Sequence, residues 1–303
     1  MAVEITPPRI EGRITVRGGR KLSFAEFGPV GGRPLVWLHG TPGARRQIPE
    51  AARLAAEDLG LRIVGIDRPG VGLSTPHQYP SIADFAADLE IVVDELGFDA
   101  FAVIGLSGGG PYALGAAHAM PGRVPVVGVL GGVVPTVGDE AVSGGLVGVA
   151  TRVAPLLPLV QGPAGIAFTT LVRLLRPVGP TAVDLYARVS PEGDRLVLSR
   201  PEIKAMFLDD LIGNGRRGLR APGFDVLLFT RDWGFRLQDI RVPVRWWHGD
   251  ADHIVPLRHG RAAVAALPDA ELYVRPGESH LGGFAAAEEV LDTLLEVWDK
   301  TPG

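Results

Sequence analysis

Cysteine is absent from the 303 residues of this chain. Its absence excludes disulfide bonds, thiolate nucleophiles and cysteine metal sites, and it leaves the redox compartment unspecified. The chain also lacks any run of the roughly 18 apolar residues that a membrane-spanning helix needs. Its first residues carry neither the basic segment nor the apolar stretch of a signal peptide. We therefore predict a cytoplasmic protein without a membrane span.

Charge is equally modest, with 21% charged residues and a formal net charge of −4. This balance gives no electrostatic reason to expect nucleic acid, so we predict a small-molecule substrate and leave homodimerisation open. The His, Asp and Glu residues show no zinc-ligand spacing. Neither G-K-[ST] nor G-x-G-x-x-G follows the first strand, so we expect no metal and no other cofactor.

Apolar runs alternate with stretches of helical spacing along most of the chain. Residues 10–27 predict a hairpin around Gly18-Gly19. Later strands, separated by helices of ten to sixteen residues, are predicted at 35–38, 61–66, 101–104, 124–130, 242–247 and 271–274. Such alternation predicts the α/β class, with a mostly parallel sheet, an N-terminal hairpin and helices on both faces.

The alternation stops between residues 133 and 237. This segment holds apolar helix-like stretches broken by glycine and proline, and it is too hydrophobic for a solvated linker. We predict a core of residues 1–132 and 238–303 and a helical lid, or cap, at 133–237. Because ligands of open α/β sheets bind at the carboxyl ends of the strands, the lid should cover that end.

A serine lies between one of these strands and the following helix, in Gly105-Leu106-Ser107-Gly108-Gly109. This G-x-S-x-G pattern is typical of a nucleophile elbow, a sharp strand-to-helix turn that exposes the serine hydroxyl. Small residues are needed two positions on either side because the turn presses them together. In a chain with 41 glycines the pattern alone is weak.

Two later strand ends supply partners for a nucleophilic serine. Asp250 and Asp252 follow the strand at 242–247, and His280 follows the strand at 271–274. A serine needs a base to take its proton, and the base needs a third group to orient it. The chain order Ser, Asp, His is the order associated with this elbow. Either aspartate fits by position, and Asp252 could instead cap the next helix.

Together these motifs resemble the α/β-hydrolase family over nearly the whole chain. Its acid loop is similar to Gly249-x-x-Asp252-x-x-x-Pro256, which favours Asp252, and Gly277-Glu278-Ser279-His280 resembles its histidine turn. The resemblance thus implies a catalytic triad of Ser107, Asp252 and His280.

The segment His39-Gly40-Thr41-Pro42-Gly43 resembles the oxyanion loop of that family. The resemblance implies that the backbone amides of Thr41 and Gly108 form the oxyanion hole. His39 and Gly40 are candidates for contact with substrate, and His39 is expected to hold the loop by hydrogen bonds. The lid residues that would contact substrate are not predicted. Residues 67–74, Asp-Arg-Pro-Gly-Val-Gly-Leu-Ser, resemble a structural turn of the family.

The predicted function is a serine hydrolase that cleaves an ester or lactone of a small, largely apolar substrate through an acyl-enzyme on Ser107. The serine argues against haloalkane dehalogenases and epoxide hydrolases of this fold, which carry aspartate there. Three alternatives stay open: a carbon–carbon bond hydrolase, a proline-iminopeptidase-like peptidase, and a small-molecule receptor with slow turnover. The peptidase would need lid carboxylates for a free amino group, with Glu192, Asp194, Glu202, Asp209 and Asp210 as candidates.

Overall fold

A single mixed sheet forms the centre of the protein, which is represented by a computed structural model describing residues 5–154, 188, 190–214 and 220–301. The strands lie in the order β1-β2-β4-β3-β5-β6-β7-β8. Their bounds are β1 Ile10–Thr15, β2 Lys21–Phe27, β3 Arg33–Leu38, β4 Leu61–Ile66, β5 Ala102–Leu106, β6 Val127–Leu130, β7 Val244–Gly249 and β8 Ala270–Arg275.

Strand directions follow the predicted pattern. β1 and β2 form an antiparallel hairpin, and β2 also runs antiparallel to β4. All remaining neighbours from β4 to β8 are parallel. The hairpin turn places Gly18 and Gly19 at φ 67° and 70°, a left-handed conformation that glycine adopts without strain. The prediction of a mostly parallel sheet with an N-terminal hairpin is confirmed.

Helices connect and cover the strands. In the described part of the chain they are α1 Glu50–Asp58, α2 Ala83–Glu95, α3 Gly110–Ala119, α4 Gly145–Val153, α5 Glu192–Leu198, α6 Pro201–Asn214, α7 Arg220–Phe229, α8 Arg258–Ala266, α9 Gly282–Ala285 and α10 Ala287–Lys300. Single 3-10 turns occupy Arg17–Gly19, Ser107–Gly109 and Leu237–Asp239.

Both faces of the sheet are covered at its centre, because alternate side chains of the inner strands enter two separate apolar clusters. In β3, Val36 and Leu38 join the cluster beneath α2 and α3. Leu35 and Trp37 point the other way, into the cluster that includes residues of α1 and α10. A strand buried on both faces reads as a continuous apolar run, which explains why β3 carries no alternating pattern.

Several predicted boundaries differ from the structure by one to three residues; β7, for example, was predicted at 242–247 and spans Val244–Gly249. β6 begins at Val127 instead of residue 124, and Pro125, which has no N–H for ladder pairing, lies in the omitted stretch. The last helix, predicted from about 284 to 299, consists of α9 and α10, separated at Ala286.

The predicted lid segment, residues 133–237, lies between β6 and β7. Its described secondary structure comprises α4, α5, α6 and α7, together with the start of the 3-10 turn at Leu237. Residues 155–187, 189 and 215–219 of this segment lie outside the described residues. Whether it forms a separate unit stays a prediction.

Candidate active site

Ser107 occupies a tight turn between β5 and α3. Its φ is 50°, and it is the one non-glycine residue with positive φ in the described part of the chain. That conformation costs about 1–3 kcal/mol for a non-glycine residue and persists only where the surroundings enforce it. A Cβ added at Gly105 would lie 2.7 Å from the Gly109 carbonyl oxygen. Gly105 is therefore required sterically by the turn, and Gly109 by the close approach of the Leu38 carbonyl oxygen at the end of β3.

The three residues predicted as a triad lie in hydrogen-bond contact. Ser107 Oγ lies 2.8 Å from His280 Nε2, and His280 Nδ1 lies 2.7 Å from Asp252 Oδ2. They follow β5, β7 and β8, whose parallel carboxyl ends meet at one edge of the sheet. Because the carboxylate can only accept, Nδ1 carries the proton, and the Nε2 lone pair accepts from the serine hydroxyl.

The Asp252 carboxylate is buried yet held in its charged form. Burial by itself raises its pKa, but this effect is outweighed by the charge of His280 and by hydrogen bonds from His248, His280 and the Val255 amide. The net result is a pKa below the ordinary range of an aspartate. Its second oxygen, Oδ1, accepts the amides of Ile254 and Val255 at 2.9 Å each. Asp252 is therefore fixed by its own loop.

His248 lies near the same carboxylate oxygen of Asp252 as His280 does. Its Nδ1 accepts the indole N–H of Trp246 at 3.0 Å, so the imidazole proton resides on Nε2. Nε2 donates to the Val255 carbonyl at 2.7 Å and lies 3.5 Å from Asp252 Oδ2. His248 is not among the site residues predicted from the sequence, so its contact with the acid was missed.

The rival positions lie elsewhere. Asp250 Oδ1 accepts the Gly277 amide at 2.8 Å and does not contact the His280 ring. His253 is exposed. Asp252 does not cap the following helix, since α8 begins at Arg258 with Leu257 at its N-cap position and no side-chain cap. Of the two aspartates, the structure brings Asp252 to the histidine.

Thr41 and Gly108, the predicted oxyanion donors, lie against each other beside Ser107. A Cβ added at Gly108 would contact the side chain of Thr41, and one added at Gly40 would lie 3.5 Å from Ser107 Cβ. Gln47 Oε1 accepts the Gly40 amide at 2.7 Å and thereby fixes the loop. A side chain at Gly108 would therefore collide with Thr41, whereas a Cβ at Gly40 would make only close contacts, the nearest with Gln47 Oε1 at 3.3 Å.

The orientation of one peptide group follows from its carbonyl partners. The Gly40 carbonyl accepts His39 Nδ1–H at 2.7 Å and Arg68 Nη2 at 3.0 Å. The peptide between Gly40 and Thr41 is trans, so its N–H points away from its carbonyl. The Thr41 N–H thus points away from Arg68.

Both nitrogens of the His39 ring are bonded to backbone groups. Besides donating from Nδ1, it accepts the Arg68 amide at Nε2, 3.2 Å away. Burial first, and the nearby Arg68 charge second, hold the pKa of His39 well below its usual range. A neutral ring whose two nitrogens are both hydrogen-bonded to the backbone cannot serve as a base here. Neither His39 nor Gly40 lines the cavity beside Ser107 described below.

Arg68 and Asp225 are two residues of this region that sequence reasoning missed. The guanidinium of Arg68 forms a buried ion pair with Asp225 of α7, with Nη2 2.6 Å from Oδ2. Asp225 also accepts hydrogen bonds from the hydroxyls of Thr41, at 2.6 Å, and Tyr112, at 2.7 Å. A signal did exist: Asp225 is a single acid within an otherwise apolar run, where an unpaired charge would be costly.

A second carboxylate of the 133–237 segment holds the loop that carries His280. Asp194 of α5 is buried, and its two oxygens accept the Leu281 amide at 2.7 Å and the Ser279 hydroxyl at 3.0 Å. These partners flank His280 on either side in the chain. Asp194 therefore fixes the backbone on both sides of the imidazole.

An apolar cavity of about 140 Å³ opens beside the serine. Ser107, Gly108 and Thr41 form its polar end. The rest of its wall comes from the loop after β6, from α4 and α7, and from the acid loop, and comprises Val133, Leu146, Val147, Ala150, Thr151, Val226, Phe229, Ile254 and Val255. Its position allows an apolar group bonded to a carbonyl at Ser107 to enter it.

Within the described ranges, no group of three or more His, Asp or Glu side chains is arranged to hold a metal ion. Over the same ranges, no helix has the length and apolarity needed to cross a membrane.

Comparison with known proteins agrees with the fold. Residues 33–142 match the family model described as alpha/beta hydrolase fold. A non-heme haloperoxidase of Rhodococcus erythropolis is 28% identical over 284 residues, covering 88% of this chain and 92% of that protein. A proline iminopeptidase of Neisseria gonorrhoeae is 35% identical over 124 residues, but these cover only 40% of this chain and 39% of that protein.

Solved structures resemble this chain over nearly its full length. An esterase from Rhodococcus sp. ECU1013 superposes with a TM-score of 0.67 at 21% identity, covering 95% of this chain and 99% of that one. A thermophilic esterase from Thermogutta terrifontis gives a TM-score of 0.66 at 21% identity, covering 96% and 98%. The chain thus has the alpha/beta hydrolase fold, and its residues 33–142 match the model of that family.

Proposed function

We propose that this protein is a serine hydrolase that cleaves a carboxylic ester or lactone with a small apolar acyl group. The observation that carries this proposal is the unbroken chain of hydrogen bonds from Ser107 Oγ through His280 to Asp252. A base within hydrogen-bond reach of a nucleophile, itself oriented by a third group, is the arrangement that activates a serine hydroxyl.

In the proposed reaction, Ser107 Oγ attacks the ester carbonyl carbon while His280 Nε2 takes the hydroxyl proton. The amides of Thr41 and Gly108 donate to the oxyanion that forms, each contributing about 3–4 kcal/mol by analogy with other serine enzymes. His280 then passes its proton to the leaving alcohol, and an acyl-enzyme is left. Water then attacks the acyl carbonyl carbon and gives a proton to His280. His280 returns this proton to Ser107 Oγ as the bond to the acyl group breaks and the carboxylic acid leaves.

The cavity supports a small acyl group over a long one. A dry apolar cavity of about 150 Å³ holds a molecule the size of benzene, and the cavity beside Ser107 measures about 140 Å³. Acyl groups of about four to six carbons match this volume. We also propose that residues 133–237 act as a lid, because Val147 of α4 and Phe229 of α7 form part of the cavity wall.

The peptidase alternative has less support. Of the five carboxylates that it would draw on, Asp194 is bound to the Ser279–Leu281 turn. Asp209 pairs with Arg46 and Arg53, and Asp210 accepts the amides of Ala44 and Arg46. Carboxylates used by the core in this way are not available to bind the free amino group of a peptide.

The proposal is tested with p-nitrophenyl esters of graded acyl length and with a fluorophosphonate that labels activated serines. We expect hydrolysis to be fastest for short acyl chains, and Ser107→Ala to remove at least ~10³ of the turnover together with the labelling. Ser199→Ala, which changes an exposed serine bonded only to the Leu196 carbonyl, serves as the control.

Each alternative predicts another result. Cleavage of proline p-nitroanilide without ester hydrolysis would support the peptidase, and cleavage of a 1,3-diketone would support the carbon–carbon hydrolase. Tight binding of an ester with negligible release of product would support the receptor. Undiminished ester turnover by Ser107→Ala would refute the serine mechanism itself.

A further inference from the structure

We propose that Asp225 is a positioning residue that makes the oxyanion hole depend on the seating of helix α7. The inference rests on the proposed function, since it concerns the Thr41 amide that would stabilise the oxyanion. It assigns no new chemistry to the triad. It assigns a catalytic consequence to one carboxylate of the 133–237 segment that does not touch the reacting atoms.

Arg68 holds the oxyanion loop by hydrogen bonds to three consecutive residues. Its Nη1 donates to the His39 carbonyl, and its Nη2 donates to the Gly40 carbonyl at 3.0 Å and to Thr41 Oγ1 at 2.9 Å. Three consecutive residues are thus bound by one planar group. Since the Gly40 carbonyl and the Thr41 N–H belong to the same trans peptide, fixing the carbonyl also fixes the direction of the N–H.

Arg68 is kept in place by its ion pair with Asp225. Its side chain is 1% exposed, and Asp225 is the one carboxylate with which it pairs among the described residues. Nε and Nη2 both donate to Asp225, at 2.6–3.1 Å, in a bidentate arrangement. A buried guanidinium without a counter-ion is strongly unfavourable, so removing the carboxylate would drive Arg68 out of this position.

Asp225 belongs to a helix that also forms part of the cavity wall. It lies on α7, one residue before Val226 and four before Phe229, both of which line the cavity. The Tyr112 hydroxyl donates to it from α3 at 2.7 Å, and the Arg68 guanidinium lies 4.8 Å over the Tyr112 ring. The position of α7 therefore determines both this part of the cavity wall and the counter-ion of Arg68.

The test compares hydrolysis of p-nitrophenyl butyrate with hydrolysis of its thiono analogue, in which sulfur replaces the carbonyl oxygen. A sulfur anion accepts hydrogen bonds poorly, so the ratio of the two kcat values reports the contribution of the oxyanion hole. Asp225→Asn keeps the shape but loses the charge. We expect it to lower kcat for the oxygen ester at least about tenfold, with KM within about twofold, and to lower the ratio by a similar factor.

A matched control is Asp209→Asn. Asp209 also joins the 133–237 segment to the core by ion pairs, with Arg46 and Arg53, and has no contact with Arg68 or Thr41. We expect the wild-type ratio in this variant.

Arg68→Lys is the second test of the same contact, because an ammonium cannot bind Asp225 and both carbonyls in a bidentate fork. It should lower the ratio as Asp225→Asn does.

The outcomes separate cleanly. Folded Asp225→Asn with the wild-type ratio would overturn the inference, as would an equal loss in Asp209→Asn. Where Asp225→Asn does not fold, as judged by circular dichroism, an unchanged ratio in Arg68→Lys overturns it. Absence of ester hydrolysis and of fluorophosphonate labelling in the wild-type protein would instead overturn the proposed function.

Discussion

His259 should make the protein lose stability in mild acid. Its side chain is buried in α8, and neither ring nitrogen has a hydrogen-bond partner among the described residues. Burial, followed by electrostatic interactions with His248 and Arg258, lowers the pKa of His259 from 6.5 to about 4. The folded protein therefore strongly favours the neutral ring.

The direction of the effect follows from proton binding. Between pH 6.5 and about 4 the unfolded chain protonates His259 while the folded chain does not. The free energy of unfolding therefore decreases as the pH falls through this window. The interval from 6.5 to about 4, at about 1.4 kcal/mol for each pH unit, gives a loss of about 3 kcal/mol from this residue.

The measurement is urea unfolding, followed by tryptophan fluorescence at pH 7, 5.5 and 4. His259→Leu substitutes an apolar side chain of similar volume and should lose about 3 kcal/mol less than the wild type between pH 7 and pH 4. His253→Gln, which removes an exposed imidazole, should follow the wild-type profile. Equal losses in the wild type and His259→Leu would refute the reasoning.

Three further outcomes are expected at the site. Gly109→Ala, whose Cβ would collide with the carbonyl oxygen at the end of β3, should lower the melting temperature by several degrees, while Gly122→Ala, which meets nothing within 4 Å, should not. Asp252→Asn should lower kcat by about 10³ or more through the wrong histidine tautomer, whereas Asp250→Asn should keep activity, and the reverse result would reassign the acid. Phe229→Ala enlarges the cavity and should shift the preferred p-nitrophenyl ester to longer acyl chains, so an unchanged preference would contradict the placement of the acyl group.

Much of the fold was predictable because its signals are local. The inner parallel strands, β3 to β7, are largely buried and separated by helices, so each is visible as a short apolar run. Ser107, Asp252 and His280 were predictable as candidates because each follows a strand end, and parallel strands bring those ends together. The order of the strands in the sheet could not be read in the same way.

The contacts that hold the site were not predictable, because they join distant parts of the chain. Arg68 and Asp225 are 157 residues apart, and Asp194 and Leu281 are 87 residues apart. Asp225, a single acid within an apolar run, is expected to need a buried partner, but only the fold supplies that partner. The contacts of His248 were missed for a different reason, because Trp246, whose indole fixes the His248 tautomer, becomes its side-chain neighbour only when both residues lie in one strand.

The carboxylates of the 133–237 segment limit how this protein can be re-engineered. Asp194, Asp210 and Asp225 accept hydrogen bonds from three different core loops. A segment transplanted from a relative to change specificity would leave the Leu281 and Ala44 amides without these acceptors, and the Arg68 guanidinium without its counter-ion, unless it carried acids at all three places. Exchange of this segment therefore has to preserve three contacts with the core. A change of substrate preference made in this way cannot be separated from the conformation of the core loops that these carboxylates hold.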